Sequence, residues 1–376
     1  MKSVHYLLLL FFTTLMTACH TGGQRAEGGV GDTLRLKYAT LLHVVDYDGY
    51  SMVTIDNPWK PGKALHQYVL VPAKGEVPAS VDPSFTVIRT PVSRAAVFTT
   101  VHCSLLMTLD CSDRIAGVAD LQYIKIPWIH QQVEQGRIAD CGNGLSPVIE
   151  KIIDVKPDLI MLSPFENSGG YGKVEEIDVP IMECAEYMES SPLARAEWMK
   201  LYGRLFGHQR QADSLFAVVD SSYHALKSKA AQAGKGSTVL VDKIVGNVWY
   251  VPGGRSTIGQ MVADAGGQYP WADDDHSGSL SLPFETVLEK AGHCELWIYR
   301  YSGAQRQRLS QLLGEHHGYS QLKAFTSGRV YGCNVEQSLF YEESPFRPDL
   351  LLGDFIQMFH PDMTDMPPLR YYEKID

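Results

Sequence analysis

Ser146-Pro147-Val148-Ile149-Glu150-Lys151-Ile152-Ile153-Asp154 is followed by Lys156-Pro157-Asp158 and the apolar run Leu159 to Leu162. The same outline returns later as Leu282-Pro283-Phe284-Glu285-Thr286-Val287-Leu288-Glu289, ahead of the apolar run Leu296 to Tyr299. In both stretches a proline and a single glutamate open a short helix that leads into a buried strand. The second copy carries extra residues between helix and strand. The repeat implies two α/β lobes, each offering one carboxylate at an equivalent place.

The flanking sequence fills in those lobes. Leu41 to Val45 and Tyr50 to Ile55 surround Asp46-Tyr47-Asp48-Gly49, a hairpin signal, and His66 to Val71 and Phe85 to Ile88 read as two more strands. From Ala95 onward short buried strands alternate with helices. The strands are Val97 to Val101, Ile115 to Val118, Leu159 to Leu162 and Ile181 to Cys184, with a helix at Ser104 to Asp110. This alternation predicts a mostly parallel sheet covered on both faces. Ser190-Ser191-Pro192 is a helix start with a serine N-cap and proline at the first helical position. The helix it opens runs to Gly207 over about 16 residues, roughly 24 Å, enough to bridge two lobes. A second helix, Ala212 to Ala233, leads into another α/β series: strands at Thr238 to Asp242, Trp249 to Val251, Glu295 to Tyr299 and Arg329 to Tyr331, and a closing helix from Pro348 to Phe359. The expected fold class is therefore α/β, two Rossmann-like lobes with central mostly parallel sheets joined by one long α-helix. The expected boundaries are an N-terminal lobe at 33–191, an interlobe helix at 192–207 and a C-terminal lobe at 208–376.

The N-terminus reads as an export signal. Lys2 precedes the mostly apolar Val4 to Leu15, and Leu15-Met16-Thr17-Ala18-Cys19 places small residues before a cysteine. This resembles a bacterial lipoprotein lipobox, which makes residues 1–19 a signal ending at a lipidated Cys19 and residues 20–32 a Gly-rich tether. Acyl chains would anchor the protein to a membrane surface. The apolar run is short for a membrane span. A formal charge of −10 argues against a general nucleic-acid binder. The six cysteines after Cys19 form no C-x-x-C pair and read as buried free thiols.

Together these features resemble the substrate-binding proteins of ABC importers for iron complexes and corrinoids, whose two lobes are joined by one long helix. Thr90 to Val97 resembles the start of that family's first central strand. Leu105 to Val118, with Asp113-Arg114-Ile115 and Gly117-Val118, resembles its helix-then-strand block "LG..drIvGV". Glu150 to Leu162 resembles "E.I..LkPDLVl", Gly266-Gly267 its glycine turn, and Phe284 to Leu288 its second-lobe helix. The similarity spans roughly residues 85 to 360. Residues 33 to 85 are longer and richer in strands than in the simplest members, and Ala291-Gly292-His293-Cys294-Glu295 stands where Pro-Asp is usual.

The resemblance implies a carrier rather than an enzyme, with no cofactor. It implies a monomer, lipid-anchored in the periplasm of a Gram-negative bacterium, that hands its ligand to an ABC permease and its ATPase. In such proteins one glutamate at the tip of each lobe docks on permease arginines, a role that falls here on Glu150 and Glu285. The alternative for each is an acid favoured by the helix dipole. Ligand groups are expected on loops at the carboxyl ends of strands. From the first lobe these are Thr100, His102, Tyr123, Trp128, Phe165 and Tyr187. From the second they are Trp249, Tyr250, Arg255, Trp271, Tyr299, Arg300 and Asn334. Aromatic faces and arginines suit a flat or anionic complex: a ferric siderophore or haem, or alternatively a corrinoid. Arg255 lies in a Gly-rich turn before a helix, where backbone N–H groups could accept an anion. A carrier of bare zinc or manganese would need several converging His and carboxylate groups. His316 and His317, adjacent on one segment, cannot both face one ion. G-x-S-x-G and H-E-x-x-H, which would point to a hydrolase, are not found.

Overall fold

The computed structural model describes residues 31–166 and 170–376. The signal, Cys19 and nearly all of the tether lie outside them. Two parallel sheets form the two lobes, and a third sheet precedes them. In the first lobe the strand order is Ile181–Glu183, Leu159–Leu162, Ala95–Val97, Ile115–Val118, Ala139–Asp140, all parallel. In the second lobe Val239–Val241, Leu296–Tyr301 and Val330–Asn334 are parallel, and Glu373–Lys374 closes the edge antiparallel. Helices cover both faces, so the strands are continuous apolar runs: Leu159–Leu162 is buried at every position.

The repeat that opened the sequence is visible in space. Ser146–Pro147 pairs with Gly142–Asn143, and helix Ile149–Val155 then leads to Leu159–Leu162. Ser279–Leu282 pairs with Val248–Pro252, and helix Phe284–Ala291 leads to Leu296–Tyr301. Each lobe thus repeats an edge hairpin, a helix and a buried parallel strand. Trp249–Val251, expected in the main second-lobe sheet, belongs instead to this antiparallel edge sheet with Ile244–Val245.

Residues 32–90 form a five-stranded sheet of their own, antiparallel except that Ala64–Pro72 and Thr86–Thr90 run parallel. Leu42, Val44, Val53, Ile55, Tyr68 and Ile88 turn one face into the first-lobe core. Two buried carboxylates bind its leading segment to the lobe. Glu197 accepts the backbone N–H groups of Lys37, Tyr38 and Ala39 at 2.8–3.0 Å, and Glu189 accepts those of Thr40 and Leu41 at 3.0 Å. The Trp198 indole donates to Glu189 at 2.9 Å. These charges are buried because several donors satisfy each of them.

The connection between lobes differs from the sequence expectation. Residues 192–207 are two short helices, Pro192–Glu197 and Met199–Phe206, the former also touching Thr257–Asp264 and Pro348–Phe359 of the second lobe. Gly207, with φ +76°, ends Met199–Phe206 in the left-handed conformation that glycine adopts without cost. The long helix is Gln209–Ala233, whose 25 residues reach roughly 37 Å. It buries a stripe of Ala212, Phe216, Val219, Tyr223 and Ala230. Its start touches the first lobe through Gln211 to Asp110 at 2.9 Å, and its middle touches the second through Tyr223 to Asp264 at 2.9 Å. Gly203 allows the close approach to Met199–Phe206, since a Cβ there would meet that of Ala212 at 2.5 Å.

Candidate functional site

The first lobe's central strand was expected to continue to Val101. It ends at Val97, and Thr99, extended, caps the helix Thr100–Thr108. This early turn puts Thr99 and Thr100 on a cavity of about 310 Å³ between the lobes. Pro192 and Arg195 form the same wall. Thr257, Ile258, Met261, Arg300, Phe340, Tyr341, Pro348 and Leu351 form the wall opposite. Three helices of eight or more residues begin here: Thr100–Thr108, Thr257–Asp264 and Pro348–Phe359. Their N-termini put the positive ends of three helix dipoles at the space. A larger cavity, about 590 Å³, lies at the seam between the N-terminal sheet and the first lobe, lined by His66, Tyr171, Glu175 and Glu183. It is remote from the second lobe. The smaller cavity is the candidate site because both lobes build it at strand carboxyl ends.

Two guanidiniums reach it. Arg300 makes a bidentate pair with Asp242, Nε to Oδ1 at 3.0 Å and Nη2 to Oδ2 at 2.7 Å. Burial works against its charge, but the Asp242 carboxylate more than offsets this and raises its pKa. Arg195, half-buried, has no carboxylate within ion-pair distance among the described residues, and its Nε has no hydrogen-bond partner. Burial lowers its pKa, against the opposing pull of Glu186. Its guanidinium is thus available to an anion in the cleft.

A carboxylate crosses between the lobes, as does the Gln260 side chain, which donates to Ser190 O. Glu342, buried, projects from the second lobe and accepts from the Thr100 hydroxyl and the Lys125 backbone N–H, each at 3.0 Å.

Of the residues expected on the cleft, Thr100 and Arg300 are there. His102 is fully buried behind the wall, with its Nε2 lacking a hydrogen-bond partner. Trp249, Trp271 and Tyr299 are core residues: Trp249 stacks on Phe284 at 6.4 Å and donates its Nε1 to Val241 O at 3.0 Å, and Tyr299 packs on Trp297 at 5.2 Å. Trp271 packs on Tyr269 at 5.6 Å. Asn334 is buried and holds a turn, donating to Gly303 O at 2.7 Å. Arg255 is exposed and pairs with Asp275 at 2.7 Å. Tyr123 and Tyr250 are exposed outside the cavity, and Trp128 packs against the first-lobe core. Phe165 lines a separate cavity of about 420 Å³ with Phe98 and Leu162. Tyr187 donates to Pro164 O at 2.5 Å. The sequence reading missed Arg195 and Glu342. Arg195 stands in an otherwise apolar helix start, Pro192-Leu193-Ala194-Arg195-Ala196, and that isolated charge was its only signal.

Glu150 and Glu285 occupy equivalent exposed positions in the first turns of Ile149–Val155 and Phe284–Ala291. Neither forms an ion pair among the described residues. No helix among the described residues is long and apolar enough to cross a membrane.

Residues 97–336, more than half of the chain, match the family described as periplasmic binding protein. An uncharacterized lipoprotein of Methanocaldococcus jannaschii is 25% identical over 351 residues, covering 87% of this chain and 82% of the relative. Among solved structures, a periplasmic heme binding protein from Pseudomonas aeruginosa superposes with a TM-score of 0.58 at 13% identity, covering 76% of this chain and 98% of that one. An ABC-type Fe3+-hydroxamate transport system protein from Saccharomonospora viridis gives 0.55 at 19% identity, covering 72% and 93%. Two lobes, a single connecting long helix and a cleft at the strand carboxyl ends agree with these likenesses, and the chain belongs to the periplasmic binding protein family.

Proposed function

We propose that this protein captures a small anionic metal–organic complex, a ferric siderophore or haem, between its lobes and delivers it to the permease of an ABC importer. The observation that carries the reading is the interlobe cavity on which Arg195 and three helix N-termini converge. Such a cavity favours a ligand with negative charge on its rim and an apolar body against Ile258, Met261, Phe340 and Leu351. The haem-binding and ferric-hydroxamate neighbours support an iron complex, and a corrinoid is the alternative of the same class. A volume of about 310 Å³ is at the lower end for a small-molecule site, so a larger complex requires the Glu342 contact to part.

Glu150 and Glu285, one on each lobe and without intramolecular partners among the described residues, suit docking onto two permease arginines. The lipobox at Cys19 and the lipoprotein relative support a lipid anchor on the outer side of a membrane. That relative belongs to an archaeon, so the wider reading is an extracytoplasmic lipoprotein, and a Gram-negative periplasm is not part of it.

The test is a tryptophan-fluorescence titration of the full chain in detergent with a ferric hydroxamate, a ferric catecholate, haemin and cobalamin, alongside free iron, zinc and manganese. Saturable quenching by one organic complex, after correction for its absorbance, is the expected result. A response to a bare ion only, or to none of these, overturns the reading.

A further inference from the structure

Behind the first-lobe wall of the cleft lies a cluster that the ligand reading does not use. A ring nitrogen of His102, Cys184 Sγ and a carboxylate oxygen of Glu186 all lie within 4.8 Å of one another, and the three residues are buried. Cys184 and Glu186 follow the strand Ile181–Glu183, and His102 stands in the first turn of Thr100–Thr108. Both segments leave the carboxyl end of the same sheet, which brings an imidazole, a thiol and a carboxylate to one point.

We propose that His102, Cys184 and Glu186 hold a single resident divalent ion, zinc by its ligand chemistry. Four observations support it. The donor set of one nitrogen, one sulfur and one carboxylate suits zinc and excludes the all-oxygen preference of magnesium and calcium. His102 Nε2 and Glu186 Oε1 are 3.5 Å apart, and two ligands on a tetrahedral zinc with bonds of about 2.0–2.2 Å would be separated by roughly 3.3–3.6 Å. His102 Nε2, fully buried, makes no hydrogen bond among the described residues, and its contact with Glu186 Oε1 is a long 3.5 Å that an ion between them would bridge. Finally, the supporting contacts are already made. Nδ1 of His102 bonds the Thr99 hydroxyl, and the second oxygen of Glu186 accepts from Tyr202 OH at 2.8 Å. Metal-bound imidazoles and carboxylates are typically oriented in this way by neighbouring oxygens.

The charges also balance. On binding, the Cys184 thiol releases its proton, and thiolate plus carboxylate neutralise a dication. Arg195, beyond ion-pair distance, keeps its charge for the cleft. The site is for a resident ion and not for cargo, because it is closed off from the cavity. Its three ligands would fasten the first helix to the segment that leads, through Tyr202, to the interlobe helix.

The test uses the full chain, expressed without a polyhistidine tag and purified in detergent. Elemental analysis should find about one zinc per chain surviving dialysis against a weak chelator. Replacement by cobalt(II) should give visible d–d bands and a near-ultraviolet thiolate-to-cobalt band, with the thiolate band lost in Cys184→Ala. Stripping with a strong chelator should lower the melting temperature by several degrees, with recovery on adding zinc. No stoichiometric ion and no cobalt spectrum would overturn the proposal, as would a cobalt spectrum without a thiolate band. Should Cys184→Ala fail to fold, zinc-edge X-ray absorption of the wild-type protein decides, since it must show one sulfur among nitrogen and oxygen ligands.

Discussion

The two halves of the molecule present matching carboxylates outside and mismatched guanidiniums inside. Glu150 and Glu285 occupy the same place in equivalent helices, exposed and unpaired among the described residues. Arg195 and Arg300 face one cavity from opposite walls, yet Arg300 is committed to Asp242 while Arg195 has no carboxylate partner among the described residues. A symmetric outer pair is what docking to a two-sided partner would require. The inner pair is asymmetric because one wall is structurally saturated and the other is left to meet a ligand.

The strongest way to break this comparison is to remove the outer pair. Glu150→Ala together with Glu285→Ala is expected to abolish transport in cells and leave the purified protein's ligand affinity unchanged. Lost binding in the purified double variant would end the docking assignment.

Next in size is Arg195→Ala. Losing one partner of a desolvated charge pair costs about 2–5 kcal/mol, on the order of 30- to 4000-fold in affinity, with little change in melting temperature. An unchanged dissociation constant in calorimetry would show that the cleft does not read anionic charge through this residue.

Arg300→Ala should invert that pattern. It leaves Asp242 without its partner, so unfolding free energy should fall by about 1–3 kcal/mol, while ligand affinity changes less than tenfold. Denaturant titration beside the same calorimetry separates the two arginines. Equal effects on affinity would erase the distinction between the walls.

The smallest change is expected from Glu342→Gln. The amide keeps the shape but gives up charge-assisted bonds to Thr100 and Lys125. The lobes should part more readily, seen as a modest rise in radius of gyration by small-angle scattering and a few-fold faster association. No change in either would mean that Glu342 does not limit opening.

Much of this architecture was legible in the chain. Ile115–Val118, Leu159–Leu162 and Pro348–Phe359 stand where their apolar runs and proline put them, because covered parallel strands and a proline-started helix are local signals. The interlobe helix was assigned to 192–207 because its capping signal is strong. Capping marks where a helix starts, not what it spans, and the long element is Gln209–Ala233, which begins without a side-chain cap. The cleft was less legible. Aromatic residues near strand ends looked like a binding surface, but Trp249 and Tyr299 lie where helices cover the sheets, and packing claimed them. Arg195, on Pro192–Glu197, shares its wall with Thr99 and Thr100, which the early end of the strand Ala95–Val97 turns toward the cavity, a tertiary consequence.

Among the described residues, five buried free cysteines lie outside the proposed ion site and make the molecule its own clock of local opening. Burial pushes the thiols of Cys103, Cys294 and Cys333 up to about 12 and those of Cys111 and Cys141 up to about 11, so almost no thiolate exists in the closed state. Alkylation then proceeds only through transient unfolding around each site. Cys103, Cys111 and Cys141 time the first lobe, and Cys294 and Cys333 the second. Mass-resolved labelling of the unmodified sequence would therefore rank the stability of the two lobes independently, with no engineered probe.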